Sequence, residues 1–456
     1  MKQIKRVFAP IVMVLALTFA GCKKEIQEPI ATTPIAENEL GGKDGNGHLQ
    51  QTKTFSSDAV VSWLGMQLNM LRIPLPAGVG SQATDRAQAY AGIALYESVV
   101  NGMPAYQTLA GQLTAMPYMP STQPGKAYHW GASANAALAE INRRLFPTTS
   151  DANKTAMNQL ERNWQNVYAG QVDEVTMQRS IAFGREVATR VANWAAVDGS
   201  ANINPPYVPT VGPGLWVPTA ATPPIGPYNS QRRLLVPGVT NGTAIEPPPP
   251  YSTVPGSPFF LMVQDVYNRV AAITPDQTAS SIYFRDNPGY SPGGGNVSML
   301  NQFLGETQIK LDQAALAYAK IGIAQHEATI ILFTGKYTYN VVRPITYIRT
   351  VMNEPLWNTI IGTPNHPEFP SGHATTSGAT ISMFSHVFGE NYPITLHTYD
   401  YQGFPPRSYR SFSEMVEDIA MSRVWSGLHY KYSCDKSLEQ GRKIAENILN
   451  TLKFHK

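Results

Sequence analysis

Cysteine is almost absent: the 456-residue chain has two, Cys22 and Cys434. A supply that small leaves no disulfide framework on which to build a fold. Charge is thin as well, at 15% of residues with a net +3 and no basic cluster, which argues against nucleic acid as a partner. Strand-type alternation is scarce and no internal repeat is visible, so the chain does not read as a sandwich, a barrel or a solenoid. After the first 22 residues no apolar run is long enough to cross a bilayer. What is present, 43% hydrophobic and 10% aromatic residues, is the composition of a folded protein. The length suits one large domain or two to three of ordinary size.

The first residues are distinctive. Lys2, Lys5 and Arg6 precede an apolar run from Val7 to Ala20, followed by Gly21 and Cys22. A basic start, a short apolar core and small residues before a cysteine read as a secretory signal. Gly21-Cys22 resembles a bacterial lipobox, in which the cysteine is lipidated and becomes the new N-terminus. The apolar run is too short to serve easily as a spanning anchor. We therefore expect a lipoprotein signal at 1–22 and a product exported and lipid-anchored in the bacterial cell envelope through Cys22, leaving Cys434 without a partner. Residues 23–55 are polar and poor in large apolar residues, as a flexible linker would be.

From Ser57 the pattern is helical. Val60, Val61, Trp63, Leu64, Leu68 and Leu71 recur at helical spacing behind Ser56, Ser57 and Asp58 as candidate caps. Similar patterning covers 82–101, 125–146, 151–168 and 173–197, where faces such as Ala87, Ala91 and Ala94 suit helix packing better than a cofactor groove. Residues 201–258 are studded with proline, ending in Pro247 to Pro250, and no helix can run through them. Trp216, Leu234 and Leu235 within this stretch argue for an extended segment packed on the domain rather than a disordered linker. Helical patterning returns at 258–272, 308–334, 371–388, 411–427 and 435–453. The fold class is all-α: two helical bundles, at 56–200 and 259–456, joined by the proline-rich segment 201–258.

Three clusters carry chemistry. KYTYNVVRP places Lys336 and Arg343 seven apart, ahead of Pro344; HPEFPSGHA holds Pro370, Ser371, Gly372 and His373; SRVWSGLHY holds Ser422, Arg423 and His429. Each alone has an ordinary explanation: solvated helix charges, a capped helix start, a satisfied core histidine. Together they offer three cations, a hydroxyl and a helix N-terminus whose Gly372 lets an anion approach the backbone. Two histidines remain, one to bond a central atom and one to move protons. The set describes a site for phosphate, or a tetrahedral mimic of it able to add a fifth ligand.

Lys-x6-Arg-Pro, Pro-Ser-Gly-His and Ser-Arg-x5-His, in that order, resemble the signature shared by type 2 phosphatidic-acid phosphatases and vanadium-dependent haloperoxidases. The core of the resemblance covers about 310–450, and RAQAYAGIALYESV upstream also looks like the haloperoxidase branch. Carried over position by position, it implies that Lys336, Arg343, Ser371, Gly372 and Arg423 hold vanadate's oxygens. His429 then bonds vanadium and His373 acts as acid and base, with Lys336 drawing electron density from the reacting group. Implied with these roles are hydrogen peroxide, bromide or iodide and a small organic acceptor as reactants, and a hypohalous product, with no redox change at the metal. In the phosphatase branch phosphate occupies the same site, His429 attacks phosphorus to give a phosphohistidine, and His373 protonates the leaving alcohol. A third reading, a non-catalytic oxyanion-binding lipoprotein, is disfavoured by the presence of both histidines.

Chain length and the HPEFPSGHA wording favour the peroxidase branch. His366 stands where bromide-oxidising relatives carry histidine and others an aromatic residue. Phe333 replaces the tryptophan common three before the lysine, and Glu327 stands where many relatives have aspartate. His326-Glu327 is not the start of a zinc motif, because Ile330 takes the place of the second histidine. Mass spectrometry of the native protein is expected to find lipid on Cys22; an unmodified Cys22 would refute the anchor.

Overall fold

The computed structural model describes residues 50–71, 82–285 and 295–456. The expected signal, Cys22 and residues 23–49 of the linker lie outside the described residues. Five helices come first: α1 (Asp58–Leu71), α2 (Gln82–Val99), α3 (Trp130–Leu145), α4 (Asp151–Ala169) and α5 (Glu174–Ala196). After them come α6 (Pro258–Ala271), α7 (Pro275–Tyr283), α8 (Gly295–Thr307) and the long α9 (Leu311–Tyr339). The chain then forms α10 (Pro344–Thr350), α11 (Gly372–Phe388), a two-stranded antiparallel hairpin, α12 (Phe412–Trp425) and α13 (Lys431–Thr451). The hairpin, β1 (Ile394–Leu396) with β2 (Arg407–Tyr409), pairs Ile394 with Tyr409. The architecture is all-α, as the patterning requires.

Local chemistry sets the helix ends. The Asp173 carboxylate accepts from Thr176 N at 2.9 Å to start α5, and Thr274 with Gln277 forms a capping box on α7, whose first residue is Pro275. The third helix begins at Trp130, later than its sequence pattern suggests. Gly125 adopts a positive φ of 69°, which interrupts the helix, and the His129 ring then caps it by accepting from Ala132 N at 3.0 Å. The ninth helix runs five residues past the expected 334. It stops where Asn340 turns left-handed (φ 49°) and returns its N–H to Lys336 O at 2.9 Å. Four elements went unread in the sequence: α7, α8, α10 and the hairpin. All are short, and α8 begins at a glycine with no capping signal.

One hydrophobic cluster runs through α1, α2, α3, α5, α8, α9, α11, α12 and α13. Nearly all of α9 is buried in it, with α2 and α11 packed alongside. Between α5 and α6 the described chain has no α-helix, only a single 3-10 turn at Asn229–Gln231. Ile203, Val208 and Val211 are exposed there, whereas Trp216, Leu235, Val236 and Val239 are buried. Glu327 of α9 ties this segment down: one carboxylate oxygen accepts from Leu235 N at 2.5 Å and Val236 N at 3.1 Å. Burial pushes the Glu327 carboxyl up to about 8.

The crossing of α11 with α13 positions the site. A Cβ on Gly378 would lie 2.9 Å from Leu438 O, and one on Gly441 would run into Thr375 O, so the two backbones touch. Gly441→Ala is therefore expected to cost about 1–3 kcal/mol, read as a lower Tm. The Glu327 shift makes a second prediction. A raised folded-state pKa means that the native protein binds more protons than the unfolded chain between about pH 4.5 and 8, so this group's contribution to stability falls as pH rises through that window. Glu327→Gln keeps the accepting oxygen and is expected to raise Tm over wild type at pH 8 and not at pH 5.

Candidate active site

Lys336 lies in the last turn of α9, fully buried. Its ammonium donates to three backbone carbonyls: Pro367 at 3.0 Å, Glu368 at 3.1 Å and Pro370 at 2.5 Å. Burial, reinforced by the Arg343 guanidinium, pulls its pKa far below the usual lysine value. Arg343 occupies the N-cap position of α10 and is equally buried. It donates through Nε to His366 O at 3.0 Å and through Nη1 to Leu428 O at 2.9 Å, and Nη2 lies 3.4 Å from Pro364 O. The same guanidinium faces two imidazoles, His366 Nδ1 at 2.9 Å and His429 Nε2 at 3.3 Å. Burial pushes its pKa down to about 10.

Arg423, near the end of α12, is 2% exposed and donates to Phe284 O at 3.0 Å. His373, in the first turn of α11, meets the same carbonyl through Nε2 at 2.8 Å. Burial holds all three site histidines well below the ordinary imidazole range, and nearby cations add to it: Arg343 and Lys336 at His429, Lys336 and Arg343 at His366, Arg423 at His373. The imidazoles are therefore neutral and keep a lone pair each.

Ser371 takes the N-cap position of α11, yet its side chain makes no capping bond. Its hydroxyl is buried with no nitrogen or oxygen partner. Beside it is the thiol of Cys434, pushed up to about 12 by burial. Gly372 has room around it, since an added Cβ would meet only Leu332 and the Cε of Lys336, at 3.8 and 4.0 Å. Packing does not demand glycine there. An uncapped helix start, a buried hydroxyl with no nitrogen or oxygen partner and an open approach to the backbone fit an oxyanion such as vanadate or phosphate.

The residues singled out in the sequence thus converge. Lys336, Arg343, His366 and His429 are linked through shared contacts; Arg423 joins them through its carbonyl, which accepts from Leu428 N at 3.0 Å and His429 N at 3.3 Å. His366 packs edge-on to Phe333, with ring centroids 5.5 Å apart. By contrast, His326 bonds Arg233 O at 3.1 Å and, like Glu327, serves the 232–236 segment. One side chain of the site escaped the sequence reading. Glu368, fully buried, lies 2.8 Å from His429 Nδ1 and accepts from Tyr430 N at 3.1 Å and Ser433 Oγ at 2.9 Å. Burial pushes its carboxyl up to about 7 against the pull of Arg343 and Lys336. A carboxylate set between two prolines inside the anion motif was the available signal.

A profile of the VCPO second helical-bundle domain family matches residues 317–455, the stretch that carries every functional side chain of the site. Among solved structures, the chain is similar to one described as the first bacterial vanadium-dependent iodoperoxidase, with 26% identity and a TM-score of 0.78, over 88% of this chain and 97% of that one. It also shares its fold with an apo-type bacterial vanadium-dependent chloroperoxidase, at 15% identity and TM-score 0.63, over 83% of this chain and 96% of that one. The holo-type form matches at 16% identity and TM-score 0.62, over 84% and 95%. No curated protein sequence matches the chain. Residues 317–455 thus carry the VCPO second helical-bundle domain, and the chain shares its fold along nearly the whole length of these bacterial vanadium haloperoxidase structures.

Proposed function

We propose that this protein is a vanadium-dependent haloperoxidase that oxidises bromide or iodide with hydrogen peroxide, giving a hypohalous species that halogenates small organic acceptors. The observation that carries it is the buried Ser371 hydroxyl, without a nitrogen or oxygen partner at an uncapped helix start among three buried cations. Vanadate, when bound, supplies Lewis-acid activation of peroxide without a change of oxidation state.

The chain's own residues divide the work. Ser371 Oγ and the first backbone N–H groups of α11 donate to the oxyanion. Lys336, Arg343 and Arg423 supply the positive field; because Lys336 and Arg343 already donate to carbonyls, their charge and the rigidity they impose count for more than free N–H groups. His429 offers Nε2 to the central atom. His373 moves the proton, held in place by Phe284 O. His366 and Phe333, ring against ring beside Arg343, line the approach for the halide. Phosphate fits the same donors, but the neighbours sharing this fold are peroxidases, and the phosphatase reading is not favoured.

The exported, lipid-tethered location is part of the proposal and rests on Lys2 to Cys22. So is the division into bundles at 56–200 and 259–456 with 201–258 between them. Vanadate-loaded protein is expected to brominate or iodinate a phenol dye with peroxide; hydrolysis of p-nitrophenyl phosphate without peroxide-dependent halogenation would refute the reading. His429→Ala should weaken vanadate retention by at least about tenfold, whereas His373→Ala should keep the ion and lose turnover. Equal retention in the two variants would contradict the roles assigned.

A further inference from the structure

His429 can present a lone pair at Nε2 only if its ring proton sits on Nδ1. Two contacts bear on that choice. At Nε2 the neighbour is Arg343 Nη1, 3.3 Å away, and a guanidinium can only donate. At Nδ1 the neighbour is Glu368 Oε1, at 2.8 Å. The same oxygen also accepts from Tyr430 N, and Oε2 accepts from Ser433 Oγ. With a donor at each of these positions, the carboxylate is left as acceptor for the ring N–H.

The carboxylate cannot easily turn away. Its backbone is clamped on both sides, Glu368 N donating to Val341 O at 3.0 Å and Glu368 O accepting from Lys336 Nζ at 3.1 Å. The carbonyls of Pro367 and Pro370 are held by the same ammonium. Ser433 approaches from α13, one turn past His429 in sequence. Three elements therefore fix one residue: α9 through Lys336 at its main-chain carbonyl, and the turn after α12 through Tyr430 N and α13 through Ser433 at its carboxylate.

We propose that Glu368 is a positioning residue, which locks His429 in the Nδ1–H tautomer and so aims the Nε2 lone pair at the bound oxyanion's central atom. The inference rests on the reading that His429 bonds that atom. Glu368 itself touches neither oxyanion nor substrate; it acts through the imidazole, as a carboxylate behind a metal-binding histidine does.

The test uses full-length protein labelled with ¹⁵N-histidine, with His429→Gln to identify the His429 signals. Long-range proton–nitrogen correlation on the oxyanion-free protein is expected to show the Nδ1–H tautomer in wild type. It should persist in Glu368→Gln, whose amide oxygen can still accept, and give way to a mixture in Glu368→Ala. Binding of inorganic vanadate alone should weaken about 10–100-fold in Glu368→Ala and distinctly less in Glu368→Gln. If Glu368→Ala does not fold, Ser433→Ala takes its place, with a smaller loss in the same direction and shifted His429 signals. An Nε2–H tautomer in wild type overturns the proposal, as does unchanged vanadate binding in both the alanine and glutamine variants. Wild-type protein with the Nδ1–H tautomer that fails to retain vanadate would support the positioning role and overturn the vanadate reading, so the two fail separately.

Discussion

Buried positive charge is the constraint to which the rest of the site answers. Lys336 and Arg343 have no exposed surface and Arg423 has 2%, and taking an ion out of water costs several kcal/mol unless its surroundings compensate. One carboxylate, Glu368, stands against three cations. Backbone carbonyls provide the remainder, from residues 364, 366, 367, 368 and 370 in one segment, and from 428 and 284 beyond it. A segment that turns so many carbonyls inward cannot be helix or strand, because its N–H groups would be stranded. Pro364, Pro367 and Pro370 answer that difficulty: three of the inward-facing carbonyls belong to residues with no N–H. The proline spacing of the anion motif is thus a means of solvating cations without water.

That solvation is incomplete by design of the residue set. Carbonyl dipoles satisfy hydrogen bonds but do not cancel charge, and the three site imidazoles are neutral. The pocket is therefore left with a surplus of positive charge, next to an uncapped helix start whose dipole has the same sign. A multiply charged oxyanion completes it in a way that a neutral ligand cannot. Burial, with the same surplus adding to it, keeps His429 and His373 unprotonated, so each retains a lone pair.

Much of this was legible in the sequence, and the reason is physical. Cations, a serine and histidines in three spaced motifs are chemically rare groupings, and converging them is the simplest way to account for their joint presence. Glu368 was harder to read: a buried carboxylate announces itself only through its partners, and these lie 61 and 65 residues away at His429 and Ser433. Phe284 was out of reach altogether, because its contribution is a main-chain carbonyl that any residue type could supply. For the fold, long helices with periodic faces were read correctly as such. The ends of α3 and α9 were displaced by single-residue events, a ring cap at His129 and a left-handed Asn340, which periodicity does not register.

The shared carbonyl of Phe284 ties His373 and Arg423 to a remote part of the molecule. It closes α7, and α7 is seated on α12 by Ser280 Oγ donating to Asp418 at 2.9 Å and Ser281 Oγ to Ser422 O at 3.2 Å. Asp418 in turn receives Arg407 and Tyr409 from the small hairpin. The His373 imidazole is thus oriented by a relay of polar contacts that ends at a strand on another element, so the packing of that strand bears on the angle of a ring it never meets.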